Sequence, residues 1–293
     1  MKGNPAAYEL RAPRNLEDAL AILAAAPDEW RPFAGGTDLM VLLDAGRLPA
    51  KRYVSLWDLA ELRGIRVDDD ALTIGAMTTY SDVLADGALA AEYPLLVQAA
   101  AQTGTVATQN RGTLGGNIAN ASPAADTPPA LLVYDAELEL VSLDGVRRVP
   151  YETFHTGYKT MDLTPGEIIA RIRLPRRASG WADTYRKVGT RSAQAISKVC
   201  FAAAMRVRGD VVDDVRVAFA SVAPTVVRCT HVERAIKGRK LDRTLPGRAV
   251  KALARDIAPI DDVRSTSRYR MRVAGNLLAE FLAPGSQAAA PLG

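Results

Sequence analysis

Residues 111–126 read Arg-Gly-Thr-Leu-Gly-Gly-Asn-Ile-Ala-Asn-Ala-Ser-Pro-Ala-Ala-Asp and lie within a longer stretch, residues 104–129, that has no helical or strand periodicity. This stretch is rich in Gly, Pro, Thr, Asn and Ser. A segment of about 25 such residues inside a compact domain is usually functional or disordered. Because Val106, Leu114 and Ile118 offer apolar anchors, we predict an ordered, functional segment.

A glycine pair also occurs earlier, at residues 35–36, and is followed by Thr37, Asp38 and a helical pattern that ends at Gly46. Adjacent glycines let the backbone approach an anion and turn successive N–H groups toward it, and a following helix adds its positive end. Residues 115–116 form the same kind of pair. Each pair therefore predicts either a phosphate cradle or a tight turn. The Asp38 carboxylate would repel a phosphate unless its side chain caps the helix.

The remaining patterns predict an α+β protein in two parts. Short helices, short strands and a hairpin over 136–149 are followed from residue 181 by longer strands and then three helices. Asn15 and Ser81 are predicted helix caps, and residues 94–103 a mostly buried helix. A Pro-Arg-Arg-Ala-Ser-Gly linker marks the boundary. We predict a first domain at residues 1–176, a smaller α+β domain of antiparallel sheet plus helices at 177–284, and a disordered tail at 285–293.

Composition places the chain among ordinary globular proteins. It has 293 residues, 48% of them hydrophobic and 24% charged, which is enough for more than one core. No run approaches the ~18 apolar residues that a membrane span requires, and the N-terminus lacks the apolar stretch of a secretory signal. We therefore expect a cytoplasmic protein without a membrane span. Cys200 and Cys229 are expected to be buried, reduced thiols, because a disulfide framework or an iron–sulfur cluster needs more cysteines.

The charge is unevenly distributed. Residues 1–146 carry 10 Lys/Arg against 20 Asp/Glu, whereas residues 147–293 carry 27 against 13, so the two halves have net charges of −10 and +14. This asymmetry predicts either two domains with different partners or a basic surface that faces an anionic one.

Several catalytic motifs are absent from the sequence. It contains no dinucleotide-binding Gly-x-Gly-x-x-Gly after a strand, no P-loop, no Gly-x-Ser-x-Gly and no His-Glu-x-x-His. The two histidines, His155 and His231, are isolated from each other and from other ligand types. We therefore predict no metal site and no catalytic acid or base in this chain.

Together with their neighbours, the two glycine segments resemble one family. Residues 33–39, Phe-Ala-Gly-Gly-Thr-Asp-Leu, and residues 111–126 look like the two flavin-binding motifs of the FAD (medium) subunit of molybdenum hydroxylases, the xanthine dehydrogenase and carbon monoxide dehydrogenase family. Lys187 and residues 196–199 are also similar to the C-terminal domain of that flavoprotein. The resemblance implies a two-lobed FAD-binding domain (PCMH-type) followed by a smaller α+β C-terminal domain.

The resemblance also implies roles for single residues. Residues 34–39 and 113–117 would wrap the FAD diphosphate with backbone amides and the Thr37 hydroxyl. Ile169 would touch the ring system, and Lys187 would lie near the isoalloxazine carbonyl, where a cation stabilises the anionic reduced flavin. Thr103 takes the place at which animal relatives put an aromatic ring over the flavin.

Asn117, Ser122 and Asp126 would support the ribityl and phosphate end. The FAD is expected to be non-covalent, because no histidine lies in the motifs and both cysteines fall in strands of the second domain. The full set of predicted cofactor-binding residues is Arg31, Pro32, Phe33, Ala34, Gly35, Gly36, Thr37, Asp38, Leu39, Thr103, Gly112, Thr113, Leu114, Gly115, Gly116, Asn117, Ala121, Ser122, Ala125, Asp126, Ile169 and Lys187.

The implied function is electron transfer within a heteromeric complex. A molybdopterin subunit would perform the substrate chemistry, a [2Fe–2S] subunit would relay electrons, and FAD in this chain would pass them to NAD⁺, oxygen or another acceptor. The iron–sulfur partner is expected beside the second glycine segment.

Two alternatives remain at the level of sequence. A self-contained FAD-dependent oxidoreductase would need a proton-transferring group, for which Tyr151, His155 and Tyr158 are the clustered candidates. A nucleic-acid-binding protein would use the basic half, in particular residues 268–272, Arg-Tyr-Arg-Met-Arg. The aromatic content of 6% and the absence of a known module favour a solvated helix face or a subunit contact there, so we expect no nucleic acid partner.

Overall fold

The computed structural model describes residues 3–191 and 195–283; the tail predicted at 285–293 lies outside the described residues. The strands in this part of the chain are β1 (Glu9–Arg11), β2 (Trp30–Phe33), β3 (Arg52–Ser55), β4 (Ile65–Val67), β5 (Ala71–Gly75), β6 (Glu137–Ser142), β7 (Gly145–Pro150), β8 (His155–Gly157), β9 (Thr160–Met161), β10 (Ile168–Pro175), β11 (Trp181–Val188), β12 (Val199–Arg208), β13 (Val211–Ala220) and β14 (Val227–Arg228). The helices are α1 (Leu16–Ala25), α2 (Leu39–Asp44), α3 (Tyr80–Ala85), α4 (Gly87–Glu92), α5 (Pro94–Ala101), α6 (Val106–Gln109), α7 (Leu114–Ala119), α8 (Pro128–Val133), α9 (Tyr151–Phe154), α10 (Thr230–Ile236), α11 (Leu245–Leu253) and α12 (Ser267–Phe281).

One of the two predicted helix caps is confirmed and the other is wrong. The Asn15 side chain accepts a hydrogen bond from the Asp18 N–H at 2.8 Å, and α1 begins at the next residue. Helix α3 is capped by Thr79, and Ser81 lies inside the helix. Thr79 and Asp82 form a capping box, in which each side chain bonds the backbone N–H of the other. Ser81 has Leu84 three residues on and cannot form one.

The first part of the chain contains two main sheets. Strands β1, β3 and β2 form a parallel sheet in that order. Strands β4, β5, β10, β6 and β7 form an antiparallel sheet, which includes the predicted hairpin β6–β7. The stretch 104–129, predicted to be irregular, contains α6, α7 and the start of α8. These helices span four to six residues, which is too short for apolar periodicity to show in the sequence.

The second part is an antiparallel sheet, β11–β12–β13–β14, with helices on one face. On β12 and β13, the face with Phe201 and Phe219 packs against the core of α10, α11 and α12. The opposite face carries Cys200 and alanines, and these small residues belong to the core of the first part, where α8 contacts β12 and β13. Small side chains let a helix approach a sheet closely, and this contact fixes the end of the second glycine segment against the second part.

The structure confirms the predicted α+β class and the predicted state of the cysteines. Cys200 and Cys229 are free, buried thiols. Within residues 3–191 and 195–283, no helix is both long enough and apolar enough to cross a membrane.

Candidate functional site

A pocket of about 500 Å³ lies where the two glycine segments meet. We call residues 33–39 the first glycine motif and residues 111–126 the second glycine motif. Loop 34–38 and α2 form one wall, residues 112–117 form another, and residues 76–80, β10 and the β8–β9 hairpin contribute further lining. Thirteen of the predicted cofactor-binding residues line the pocket: Pro32, Ala34, Gly35, Gly36, Thr37, Asp38, Leu39, Gly112, Thr113, Gly115, Gly116, Asn117 and Ile169.

The glycines bring these walls together by direct backbone contact. A Cβ at Gly35 would lie 1.7 Å from the Arg111 carbonyl oxygen, and a Cβ at Gly115 would lie 2.6 Å from the Cβ of Ala76. Gly36 has φ +77°, a conformation that side chains rarely adopt. The glycines are therefore required first by packing of the protein against itself.

The backbone amides of the two motifs differ in what they bind. In the part of the chain that is described, the N–H groups of residues 35–38 donate no hydrogen bond. The N–H groups of residues 114–117 all donate to protein acceptors, at 2.8–3.1 Å, namely Thr78 O, Ala76 O, Thr113 Oγ1 and Thr113 O. Among the described residues of the two motifs, the first motif therefore has the row of unengaged donors, and the residues that carry them line the pocket.

Polar side chains add further donors. The Asn117 Oδ1 accepts from the Thr127 hydroxyl at 2.8 Å, which leaves the Asn117 amide N–H groups for the pocket. Arg47 and Lys159 line the same pocket, and the Lys159 Nζ donates to Asn120 Oδ1 at 3.3 Å. The sequence analysis did not identify these two cations, because neither belongs to a local motif and only the tertiary fold brings them to the glycine loops.

The two acidic side chains that line the pocket, Asp38 and Glu167, differ in their hydrogen bonding. Asp38 is exposed and makes no capping hydrogen bond, so the geometry that would remove its repulsion of a phosphate is not present. Glu167 is held by the Arg147 guanidinium at 2.6 and 2.8 Å and by the Thr164 N–H at 2.8 Å. These hydrogen bonds, with Arg147 the largest cause, lower the pKa of Glu167 from 4.5 to about 2.

The apolar part of the lining is built around strand β10. Ile168 and Ile169 both line the pocket with Met77 and Leu163. Consecutive strand residues ordinarily face opposite sides, but the pairing of β10 with β6 shifts register between Ile169 and Arg171. A bulge of this kind re-aims side chains and is common beside functional sites.

A buried ionic cluster lies behind the pocket, between the two parts of the chain. The Lys187 Nζ donates to Asp126 Oδ2 at 2.6 Å and to the Gln102 carbonyl at 2.8 Å, and the Ser197 hydroxyl donates to Asp126 Oδ1 at 2.6 Å. The Lys187 and Asp126 side chains are 7% and 11% exposed. Burial raises the pKa of Asp126, while Lys187 and Ser197 act in the opposite direction.

This cluster adjoins the pocket through two residues. Tyr80 lines the pocket and is buried, and its pKa is raised by burial and then by the nearby Asp126 charge. Thr127, which follows Asp126, bonds the pocket residue Asn117. The site therefore consists of an open row of donors and an adjoining buried ion pair.

Comparison with known proteins agrees with this geometry. Residues 6–177 match the FAD binding domain in molybdopterin dehydrogenase, and residues 184–284 match the CO dehydrogenase flavoprotein C-terminal domain. The chain belongs to this family of FAD-binding subunits. It is 31% identical to the xanthine dehydrogenase FAD-binding subunit of Escherichia coli O157:H7 over 276 residues, which cover 94% of each chain.

Solved structures of the family have the same fold. Carbon monoxide dehydrogenase from Hydrogenophaga pseudoflava matches with a TM-score of 0.90 and 29% identity, covering 93% of this chain and 95% of that one. Quinoline 2-oxidoreductase from Pseudomonas putida 86 matches with a TM-score of 0.90 and 27% identity over 99% of each chain. The predicted family and fold class are thus confirmed, and the chain is the FAD-binding subunit of a molybdenum hydroxylase-type complex.

The residues present fit FAD. The pocket has a volume in the range of small-molecule and cofactor sites, the N–H groups of residues 35–38 can bind an anionic diphosphate, and an apolar lining lies at Ile168 and Ile169. Arg47 and Lys159 supply positive charge at the same pocket.

Nine residues predicted for the FAD site do not line this pocket. The Arg31 guanidinium turns back to the Pro27 and Trp30 carbonyls, and the Thr103 hydroxyl donates to the Ala99 carbonyl at 2.8 Å. The Phe33 ring packs edge-on against Tyr53, and Leu114 lies in the core beneath the motif. The other five are Ala121, Ser122 and Ala125 in the loop after α7, and Asp126 and Lys187 in the buried cluster.

The groups on which the two alternatives depend do not form a site. Tyr151 is fully enclosed, the His155 Nε2 bonds the Ile118 carbonyl oxygen at 2.9 Å, and Tyr158 is 65% exposed. None of the three lines the pocket. The basic run 268–272 lies on α12, where Arg270 is buried, so the run does not present a continuous cationic surface.

Proposed function

We propose that this chain is the electron-exit subunit of its complex, receiving electrons from a [2Fe–2S] subunit and passing them through FAD to NAD⁺, oxygen or another acceptor. The observation that carries the proposal is the row of unengaged N–H groups at residues 35–38, which opens into a pocket shared with the second glycine motif. A row of converging amides is the arrangement that binds a diphosphate.

The chain's own groups bind and orient the cofactor. Residues 35–38 and the Thr37 hydroxyl would hold the diphosphate, Asn117 would donate beside them, and Ile169 would contact the ring system. FAD, when bound, accepts and releases two electrons singly or as a pair. We place the Asp126–Lys187 pair beside the ring system, because Tyr80 and Thr127 connect this pair to the pocket. Among the described residues the Lys187 ammonium donates to Asp126 and Gln102, so one of its three N–H groups would be left for a bound flavin.

The relatives support a heteromeric assembly, since the carbon monoxide dehydrogenase relative is named a medium chain. We propose that the other chains of the complex are a [2Fe–2S] subunit and a molybdopterin subunit. We place the iron–sulfur partner beside the second glycine motif and the complex in the cytoplasm, where thiols such as Cys200 stay reduced. We retain the predicted division into domains at residues 1–176 and 177–284.

Purification under native conditions tests this function. We expect absorption bands at about 370 and 450 nm. Acid precipitation should release the FAD into the supernatant, and iron and molybdenum should co-purify with the chain. Yellow colour retained in the pellet would contradict non-covalent binding. A metal-free single chain that oxidises a substrate with stoichiometric FAD reduction would overturn the proposal and support the self-contained oxidoreductase.

A further inference from the structure

Arg270 is a buried arginine in a helix whose neighbouring arginines are exposed. It lies in the first turns of α12, and its side chain is 5% exposed, whereas Arg268 and Arg272 are at the surface. A buried guanidinium must have its donors satisfied, since an unpaired one is costly. Its contacts therefore indicate what it is used for.

The guanidinium joins three separate segments. Its Nη1 donates to the Ser221 carbonyl at 2.7 Å and to the Lys198 carbonyl at 3.3 Å, and its Nη2 donates to Asp262 Oδ1 at 2.7 Å. Asp262 Oδ1 in turn accepts from the N–H groups of residues 264 and 265 at 2.8 and 3.0 Å. Arg270 thus connects Lys198, the residue after the cluster residue Ser197, with Ser221 and with the loop at Asp262.

Ser221 connects Arg270 with Ser197 and with the second glycine motif through hydrogen bonds. It has a left-handed backbone with φ 67°, a conformation that a serine keeps only where its surroundings hold it. Its hydroxyl donates to the Ser197 carbonyl at 2.8 Å, and its N–H donates to the Pro123 carbonyl, in the second glycine motif, at 2.7 Å. Ser197 then donates to Asp126, which binds Lys187.

Stability alone is a weak reason for an arginine at this place. Its Nε is buried without a hydrogen-bond partner in the described part of the chain, and apolar residues of similar volume often replace buried charges without loss of stability. The planar guanidinium, whose donors are spread over two terminal nitrogens, holds two carbonyls and a carboxylate from separate segments at once. We propose that Arg270 is a positioning residue for the flavin site, which sets the Asp126–Lys187 pair through Ser221 and Ser197. This inference rests on the proposed placement of that pair beside the flavin.

The test uses the full chain loaded with FAD and four variants. Arg270→Met removes the guanidinium and its hydrogen bonds, whereas Arg270→Lys keeps the charge. Ser197→Ala removes the bond to Asp126, and Arg268→Met is a matched control on the same helix. We expect Arg270→Met to raise the Kd for FAD on the order of tenfold and to shift the flavin midpoint potential to more negative values. Ser197→Ala should shift it in the same direction, Arg270→Lys should shift it less, and Arg268→Met should leave Kd and potential unchanged.

The double variant R270M/S197A and the thermal unfolding of each apo chain show whether Arg270 acts through Ser197 or has a structural role only. If Arg270 acts through Ser197, the double variant shifts the potential no further than the larger single shift. Additive shifts would mean that Arg270 acts on the potential by a route other than Ser197, and a lower unfolding temperature with a wild-type potential would make Arg270 a structural residue only. Either result would overturn the inference. If Lys187→Met retains FAD at an unchanged potential, the placement of the pair beside the flavin is wrong, and the role of Arg270 fails with it.

Discussion

The two glycine motifs contain the same dipeptide and use it differently. In the first motif, the N–H groups of residues 35–38, which line the pocket, donate to no described residue, whereas in the second motif the N–H groups of residues 114–117 are bonded to the protein. Both depend on glycine for close packing. The comparison teaches that a glycine pair can offer its N–H groups to a ligand, or can pack and bond within the protein so that the neighbouring loop keeps its shape. Only the hydrogen-bond partners of the N–H groups distinguish the two uses.

The largest effect is expected from breaking the contact between the two motifs. Gly35→Val places a Cβ 1.7 Å from the Arg111 carbonyl oxygen, and backbone cannot yield as a flexible side chain can. We expect a loss of at least about 3 kcal/mol in the free energy of unfolding and loss of FAD retention, measured by urea denaturation and by absorbance. Gly87→Val is the control, because a Cβ there meets nothing within 4 Å. Equal stability of the Gly35 variant and wild type would show that the motifs do not need this contact.

The sequence predicted the parts of the site that are local. The first glycine motif, the helix after it and the strand with Ile169 are encoded within a few residues and lie at the pocket as expected. The state of the amides at residues 114 and 115 was not predictable, because their acceptors at Thr78 and Ala76 are about 40 residues away in the chain. The same holds for Ser197, which reaches Asp126 across 71 residues.

The buried pair of Asp126 and Lys187 extends the comparison to side chains that, like the amides of the second motif, are bonded within the protein. Lys187→Met or Asp126→Asn leaves an uncompensated buried charge, so we expect each to lower the free energy of unfolding by about 3–5 kcal/mol. The double variant should recover much of that loss. Lys240→Met breaks an exposed pair with Asp210 and should change stability little. Additive losses in the double variant would contradict coupling of the pair.

Glu167 lines the pocket yet is bound to the protein, like the amides of the second motif. Its pKa is lowered from 4.5 to about 2, so its stabilising effect is present above about pH 4.5 and is lost as the pH falls toward 2. Glu167→Gln should lower the free energy of unfolding by about 1–2 kcal/mol at pH 7. Denaturation at several pH values should show the two proteins converging in acid. A constant difference down to pH 2 would mean that the Arg147 contact does not depend on the carboxylate charge.

The smallest effect, and the sharpest test of the comparison, is expected from matched threonines of the two motifs. The Thr37 hydroxyl lines the pocket and bonds no described residue, whereas the Thr113 hydroxyl accepts the Gly116 N–H at 3.1 Å. Thr37→Val should therefore weaken FAD binding by about 1 kcal/mol, roughly fivefold in Kd, with unchanged stability of the apo chain. Thr113→Val should instead lower apo-chain stability by about 1–2 kcal/mol, because it removes the N-cap acceptor of α7 and leaves the partly buried Gly116 N–H without its bond. Thr37→Ser restores the hydroxyl and should restore affinity. Calorimetric titration with FAD and denaturation of the apo chain measure the two quantities separately, and equal changes of both in the two variants would mean that the motifs do not divide binding and packing between them.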